Sequence, residues 1–296
     1  MTTSIAATGS TANRRGIAAM ALGMVSFVAN DALIKLVSVS LPSGQLIFIR
    51  GLFAIALLLA MSAWLGAWRV PGGPLRALGQ RAVLLRAGLD ALATLAYLTS
   101  LFHLPLGNAT AINMATPLVI SLMAVLWLGE RVGPARWAAI AAGFVGVLMV
   151  VQPSAEGFNA YAWLCLSGTV LHAARDLVTR RIATSTPSLL ITLSTALAVT
   201  LLAALISLAQ GWVAVTLTQL ALLAVASVFL SSGYYLLIVA MRSGDVSVIA
   251  PFRYAGLLFA LLLGWLVWRE LPNALAWAGI ALLVGAGLHI LHSQRR

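Results

Sequence analysis

From residue 16 to residue 291 the chain is a succession of apolar runs, separated only by short polar, glycine- or proline-containing stretches. Each run is about 20 residues long, which matches the thickness of the bilayer's hydrocarbon core. Lipid supplies no partner for a backbone amide, so a run that crosses it must pair its amides and carbonyls within itself as a helix. A β-barrel would instead need alternating segments of about ten residues, and the sequence has none. The pattern predicts ten membrane helices, at 16–37, 43–65, 81–103, 107–129, 133–151, 159–181, 187–209, 216–241, 245–268 and 272–292. Ten crossings with short loops use almost all of the 296 residues and leave no room for a soluble catalytic domain. Only 8% of residues are charged, against about 25% in soluble domains, so a water-soluble globule is excluded.

The net charge of +11 raises the question of nucleic acid, but the chain has no long polar face on which to bind one. The basic residues read instead as topology signals. With the N-terminus inside, twelve arginines, among them Arg14, Arg15, Arg131, Arg180, Arg295 and Arg296, fall in cytoplasmic segments, and Arg269 alone falls outside. By the positive-inside rule both termini are expected in the cytoplasm, with the inner membrane as the location. Residues 1–15 read as a flexible polar flank rather than a secretory signal, because the apolar run that follows is too long for one. Most tryptophans fall near helix ends, where they serve as interfacial anchors. The lone cysteine, Cys165, allows no intrachain disulfide. No two histidines share a ligand spacing with a carboxylate, so neither a metal nor another cofactor is expected.

The chain also contains itself twice. At an offset of 145, Gly23 coincides with Gly168, Asp31 with Asp176, Lys35 with Arg180, Pro42 with Pro187 and Ser43 with Ser188. At an offset of 140, Glu130 meets Glu270, Trp137 meets Trp277 and Ile140 meets Ile280. Charged residues and prolines are rare enough here for the coincidences to count. The halves are 16–151 and 159–292, with five helices each, and an odd number turns the second copy over. The expected architecture is therefore all-α, with two inverted five-helix repeats around a central cavity. Secondary transporters are built this way, with the substrate site near the midplane.

Ionisable groups inside membrane helices mark function by default. Asp31, Asp90 and Asp176 each have a base one turn away, at Lys35, Arg86 and Arg180. Residues four apart share a helix face, so these pairs either hold helix ends in register or open and close as gates or proton sites. Inversion would place Asp31 near one mouth and Asp176 near the other. Arg50 and Arg253 have no acid one turn away. Each needs a partner on another helix, with Asp31 the candidate for Arg50, or an anionic substrate group that a planar guanidinium suits. Arg175 is expected to snorkel toward the inner surface. His172 stands one turn before Asp176, either as a hydrogen-bonded structural group or as a proton carrier.

Tyr97 and Tyr234 coincide at an offset of 137, and Asn113 opposes Arg253 at 140. With Trp163 and Tyr254 they are candidates to line a cavity, since an amphipathic aromatic both stacks and hydrogen-bonds. Plain interhelical packing is the other reading. Pro117 and Pro251 are expected to kink helices four and nine, because proline removes a backbone hydrogen bond. Gly143, Gly146, Gly279, Gly285 and Gly287 give helices five and ten smooth faces for close packing.

Two stretches, N-A-T-A-I-N-M-A-T-P-L…L-G-E-R at 108–131 and V-I-A-P-F-R-Y…W-R-E-L-P at 248–272, complete the pattern. Through them, from about residue 16 to 292, the chain resembles the EamA-type drug/metabolite transporters, ten-helix carriers made of two such halves. One departure is Trp268 before Arg269-Glu270, where that family often has glycine before the glutamate. The resemblance implies a carrier of small metabolites. Family members include exporters of amino acids and other metabolites, and importers of riboflavin or S-adenosylmethionine. Dimeric relatives imply that a monomer and a homodimer are both open.

The expected function is alternating-access transport, with export of amino acids or related metabolites preferred. Arg50, Tyr97, Asn113, Trp163, His172, Tyr234, Arg253 and Tyr254 form the candidate substrate set; Asp31, Lys35, Asp176 and Arg180 are the gating or proton-coupling candidates. Import of a cofactor-like metabolite is the alternative, and a passive channel is the alternative of another class. An enzyme is not expected, since no nucleophile elbow, zinc-protease motif or paired intramembrane aspartates occur.

Overall fold

The apolar runs fold as helices, and no strand occurs among the described residues. The computed structural model describes residues 2–70, 72–128, 133–152, 160–179, 181–183, 185–243 and 249–293. Side chains are described for all of these except 2–12, 124, 127, 128, 136, 238, 241–243, 250, 251 and 290–293. Arg180, Glu130, Arg131, Arg295 and Arg296 lie outside the described residues.

The helices are α1 (Thr2–Ser38), α2 (Ser43–Trp64), α3 (Pro74–Leu78), α4 (Arg81–Leu101), α5 (Leu106–Asn113), α6 (Thr116–Leu128), α7 (Pro134–Val151), α8 (Ala160–Thr179), α9 (Ser188–Gln210) and α10 (Leu217–Ser243). A 3₁₀ turn (Ala250–Tyr254) leads into α11 (Ala255–Trp268), and α12 (Ala274–Ser293) follows. Six helical stretches are long and apolar enough to cross a bilayer: Asn13–Ser38, Ser43–Trp64, Arg81–Leu101, Leu106–Met123, Ser188–Gln210 and Leu217–Leu237. Shorter apolar helices cover Trp137–Val151, Phe252–Trp268 and Ala274–His289.

Three details depart from the apolar pattern. Helix α1 begins at Thr2, well before the apolar run. Short α3 was not expected; Pro74 opens it, and Ala77 buries itself against Leu58, Leu190 and Leu193. The third is at Pro117, where α5 ends at Asn113 and α6 starts at Thr116. Proline has no amide to offer the carbonyl four residues back. Here that carbonyl belongs to Asn113, and the Thr116 hydroxyl donates to it at 2.6 Å. The break therefore leaves no orphaned acceptor at membrane depth. Pro251 falls in the 3₁₀ turn before α11.

The chain forms two compact units, each drawn from both halves of the sequence. Unit 1 comprises Met1–Ala29, Pro105–Phe158 and Ser232–Arg296, and unit 2 comprises Asn30–Leu104 and Asn159–Ser231. In unit 1, α7 lies along α12, and α5 packs on α11. Gly146 and Gly279 make the α7–α12 approach possible. A β-carbon at Gly146 would sit 2.7 Å from the Gly279 carbonyl, and one at Gly279 would sit 2.6 Å from the Gly146 carbonyl. In unit 2, α4 lies along α8 and α2 along α9. Gly168 on α8 faces the α4 backbone, where a β-carbon would stand 3.2 Å from both the Ala93 carbonyl and the Tyr97 amide.

Candidate functional site

The charged groups inside the apolar runs of unit 2 gather in two clusters. The first surrounds Asp31, near the C-terminal end of α1. Tyr97 on α4 donates its hydroxyl to Asp31 Oδ2 at 2.8 Å, and the Asn30 amide donates to Asp31 Oδ1 at 2.9 Å. Both carboxylate oxygens are thereby engaged. Asn30 in turn accepts from Arg50 Nη1 of α2 at 3.3 Å. The Arg50 carbonyl accepts from the Ser227 hydroxyl at 2.9 Å, which ties α2 to α10. Asn30, Arg50 and Tyr97 are buried. The cross-helix bond expected of Arg50 thus reaches Asp31 through Asn30. Lys35 is also buried, and its ammonium donates to the Leu104 carbonyl at 2.5 Å.

The second cluster centres on Asp90 of α4, which is 1% exposed. Arg175 of α8 donates Nη1 to Asp90 Oδ1 at 2.7 Å. Arg86 Nη1 lies 3.6 Å from Asp90 Oδ2, so the expected same-helix pair is present. His172 Nε2 is 3.8 Å from Asp90 Oδ1. Arg86 also donates to the hydroxyls of Thr179 at 3.0 Å and Thr195 at 2.6 Å, binding α4 to α8 and α9. Arg175 continues to Asp176, with Nε at 2.9 Å and Nη2 at 2.8 Å from the same oxygen, Oδ1. Arg175 therefore does not snorkel. A carboxylate within reach on each side satisfies its fork better than the headgroup region would.

Tyr97 and His172 lie side by side between the clusters, with ring centroids 6.3 Å apart. Buried charges in such an assembly are held by their partners, and removing one partner is costly. Trp163 is 37% exposed on α8, on the far side from Asp176.

The remaining candidates belong to unit 1. Tyr234 stacks edge-on against Phe27 at 5.1 Å. Tyr254 is buried against Gly287, and its hydroxyl has no hydrogen-bond partner among the described residues. Arg253 and Asn113 are half-buried. Unit 1 also holds a cavity of about 240 Å³ whose lining includes Asn108, Gln152, Glu270 and Asn273. There Glu270 accepts from the Leu106 amide at 3.1 Å, and Gln152 and Asn273 exchange amide hydrogen bonds at 2.7 and 2.8 Å.

Several of these partners were not named as site residues from the sequence. The signal was present in the offset of 145 that pairs Asp31 with Asp176, since it also pairs Asn30 with Arg175 and Arg50 with Thr195. In each copy the residue before the aspartate bonds that aspartate's Oδ1. Asp90 carries no such echo, and its reach to Arg175 spans 85 residues. Among the described residues no group of histidine, cysteine, aspartate and glutamate has the makings of a metal site.

Comparison with known proteins adds the following. The EamA-like transporter family matches residues 14–152 and again 159–291. A riboflavin transporter of Rhizobium johnstonii is 34% identical over 72% of this chain and 70% of its own length. The pseudopaline exporter CntI of Pseudomonas aeruginosa is 27% identical over 95% of this chain and 98% of its own. An S-adenosylmethionine uptake transporter of Rickettsia bellii is 26% identical over 95% and 94%. One solved crystal structure shares the fold with a TM-score of 0.63 at 20% identity, covering 97% of this chain and 99% of that one.

Proposed function

The chain belongs to the EamA-like transporter family, and on that premise we propose that it is an inner-membrane carrier moving small metabolites by alternating access. The observation that carries the reading is the double family match. Its two copies begin at 14 and 159, which is the offset of 145 that aligns Asp31 with Asp176. This supports ten crossings in two inverted five-helix repeats, 16–151 and 159–292, with both termini cytoplasmic.

Export of amino acids or related metabolites is the preferred activity, by a monomer or a homodimer. Arg50 and Arg253 recognise a carboxylate, and Asn113, Trp163, His172, Tyr234 and Tyr254 line the path. Tyr97 contributes its ring, because its hydroxyl already serves Asp31. Asp31 with Lys35, and Asp176 with Arg180, are the gate residues of this reading, one set for each mouth. Transport is driven either by a proton carried at Asp31, Asp176 or His172 or by the metabolite's own gradient. Import of a riboflavin- or S-adenosylmethionine-like compound is the second reading, favoured by what two of the relatives are named for.

Counterflow in proteoliposomes tests both. Vesicles are preloaded with unlabelled amino acids, riboflavin or S-adenosylmethionine, and tracer of the same compound is placed outside. Saturable tracer accumulation is expected with one class and names the cargo. Fast, unsaturable flux would identify a channel and overturn the carrier.

A further inference from the structure

Asp176 differs from the other carboxylates of unit 2 in having an accessible oxygen with no partner among the described residues. Asp31 has both oxygens engaged by Tyr97 and Asn30. Asp90 is enclosed by Arg86, His172 and Arg175, and its Oδ2, which accepts no hydrogen bond, is buried 3.6 Å from Arg86 Nη1. Asp176 takes both Arg175 contacts on Oδ1, and its Oδ2 has no partner among the described residues.

The side chain of Asp176 is also open. It is 31% exposed, against 1% for Asp90. The place of Asp176 on α8 argues against exposure toward lipid. Asp176 continues the stripe of Cys165, Thr169 and His172, of which the first two are fully buried. On the opposite side of α8 stand Ser167 and Val170, the face turned outward. A carboxylate on the inward stripe that remains accessible faces an aqueous opening, because an ionised group turned to lipid is costly.

The neighbours fix what such an opening accepts. All three guanidinium nitrogens of Arg175 are already directed at carboxylate oxygens. Within the cluster, Arg86 and Arg175 balance Asp90 and Asp176. An arriving anion meets an Arg175 whose three nitrogens each already serve a carboxylate, whereas an arriving donor meets a carboxylate oxygen with no partner among the described residues.

We propose that Asp176 Oδ2 is the acceptor for the ammonium group of an amine-bearing metabolite. The proposal rests on the carrier reading and narrows its cargo. It favours amino acids and S-adenosylmethionine-like compounds over amine-free ones such as riboflavin.

The test uses the full chain in nanodiscs, as wild type, D176N and D176E. Dissociation constants are measured for phenylalanine, phenethylamine and S-adenosylmethionine, and for the amine-free 3-phenylpropionate and riboflavin. A charge-assisted hydrogen bond lost in D176N is expected to weaken the amines about tenfold or more. D176E is expected to restore them in part, and amine-free compounds should bind D176N as they bind wild type. Equal losses for both classes would mean that Asp176 only holds Arg175, and would overturn the assignment. So would a wild type that binds no amine in the set. The carrier reading is decided separately, by counterflow, and survives either result.

Discussion

Asp31 and Asp176 stand at matching places in the two halves of the sequence, yet their surroundings differ. Asp31 is fastened by neutral groups, a tyrosine hydroxyl and an asparagine amide, with Arg50 held one step away. Asp176 is fastened by an arginine, which passes the charge on to a second acid, Asp90. The residue before each aspartate accounts for the divergence. Asn30 is both donor and acceptor, so it can bridge an acid to an arginine. Arg175 is donor only, so it must bridge two acids. One substitution between the copies thus exchanges an arginine on α2 for an aspartate on α4 as the third member of the cluster.

The strongest way to break this comparison is to remove the acid that only one cluster has. Asp90→Ala leaves the buried Arg86 and the half-buried Arg175 without their shared counter-charge and is expected to cost about 3–5 kcal/mol. A thermal melt in detergent would show it. The double variant Asp90→Ala, Arg175→Met should recover much of that loss. If it melts no higher than Asp90→Ala, the two residues are not coupled.

A smaller effect tests the seam that both clusters share. Gly168→Val would press against the Ala93 carbonyl and the Tyr97 amide. Overpacking of this kind costs about 1–3 kcal/mol. It is expected to lower the melting temperature and reduce counterflow together; a valine there with wild-type stability would mean that α4 and α8 are not so close.

At the Asp31 cluster, Arg50→Gln should raise the apparent KM about tenfold for a carboxylate-bearing cargo and leave other cargo unaffected, if the guanidinium binds the carboxylate. An unchanged KM would confine Arg50 to structure. The smallest change is Tyr97→Phe, which removes one hydrogen bond from Asp31 and should cost about 1 kcal/mol. A loss several times larger would show that Asp31 depends on that hydroxyl as heavily as Asp90 depends on Arg175.

The helices were legible because their cause is local. An apolar run of sufficient length declares itself, and α2 and α9 begin and end within a residue or two of the expected places. The interruption at Pro117 was equally local, although the hydroxyl of Thr116 that repairs it was not anticipated. Pairs one turn apart are visible in the sequence as possibilities, and Arg86 with Asp90 is such a pair. Lys35 shows the limit, since an ammonium on a flexible stem found the Leu104 carbonyl, 69 residues away. Asp31 with Tyr97 and Asp90 with Arg175 depend on which helices lie side by side. A chain whose runs are all similarly apolar carries little local information about that choice. The two compact units show the same limit, as each takes elements from both halves of the sequence.

The 85 residues between Asp90 and Arg175 also have a consequence in time. Synthesis proceeds at roughly 5–20 residues per second, so α4 is made several seconds before α8 exists. During that interval Asp90 must be accommodated without Arg175. Arg86, one turn earlier on the same helix, emerges from the ribosome just ahead of it and is the counter-ion at hand. The weaker of the two contacts in the finished protein, at 3.6 Å, is on this view the one that lets the nascent helix enter the membrane, and Arg86→Leu would be felt in the yield of inserted protein before it is felt in transport.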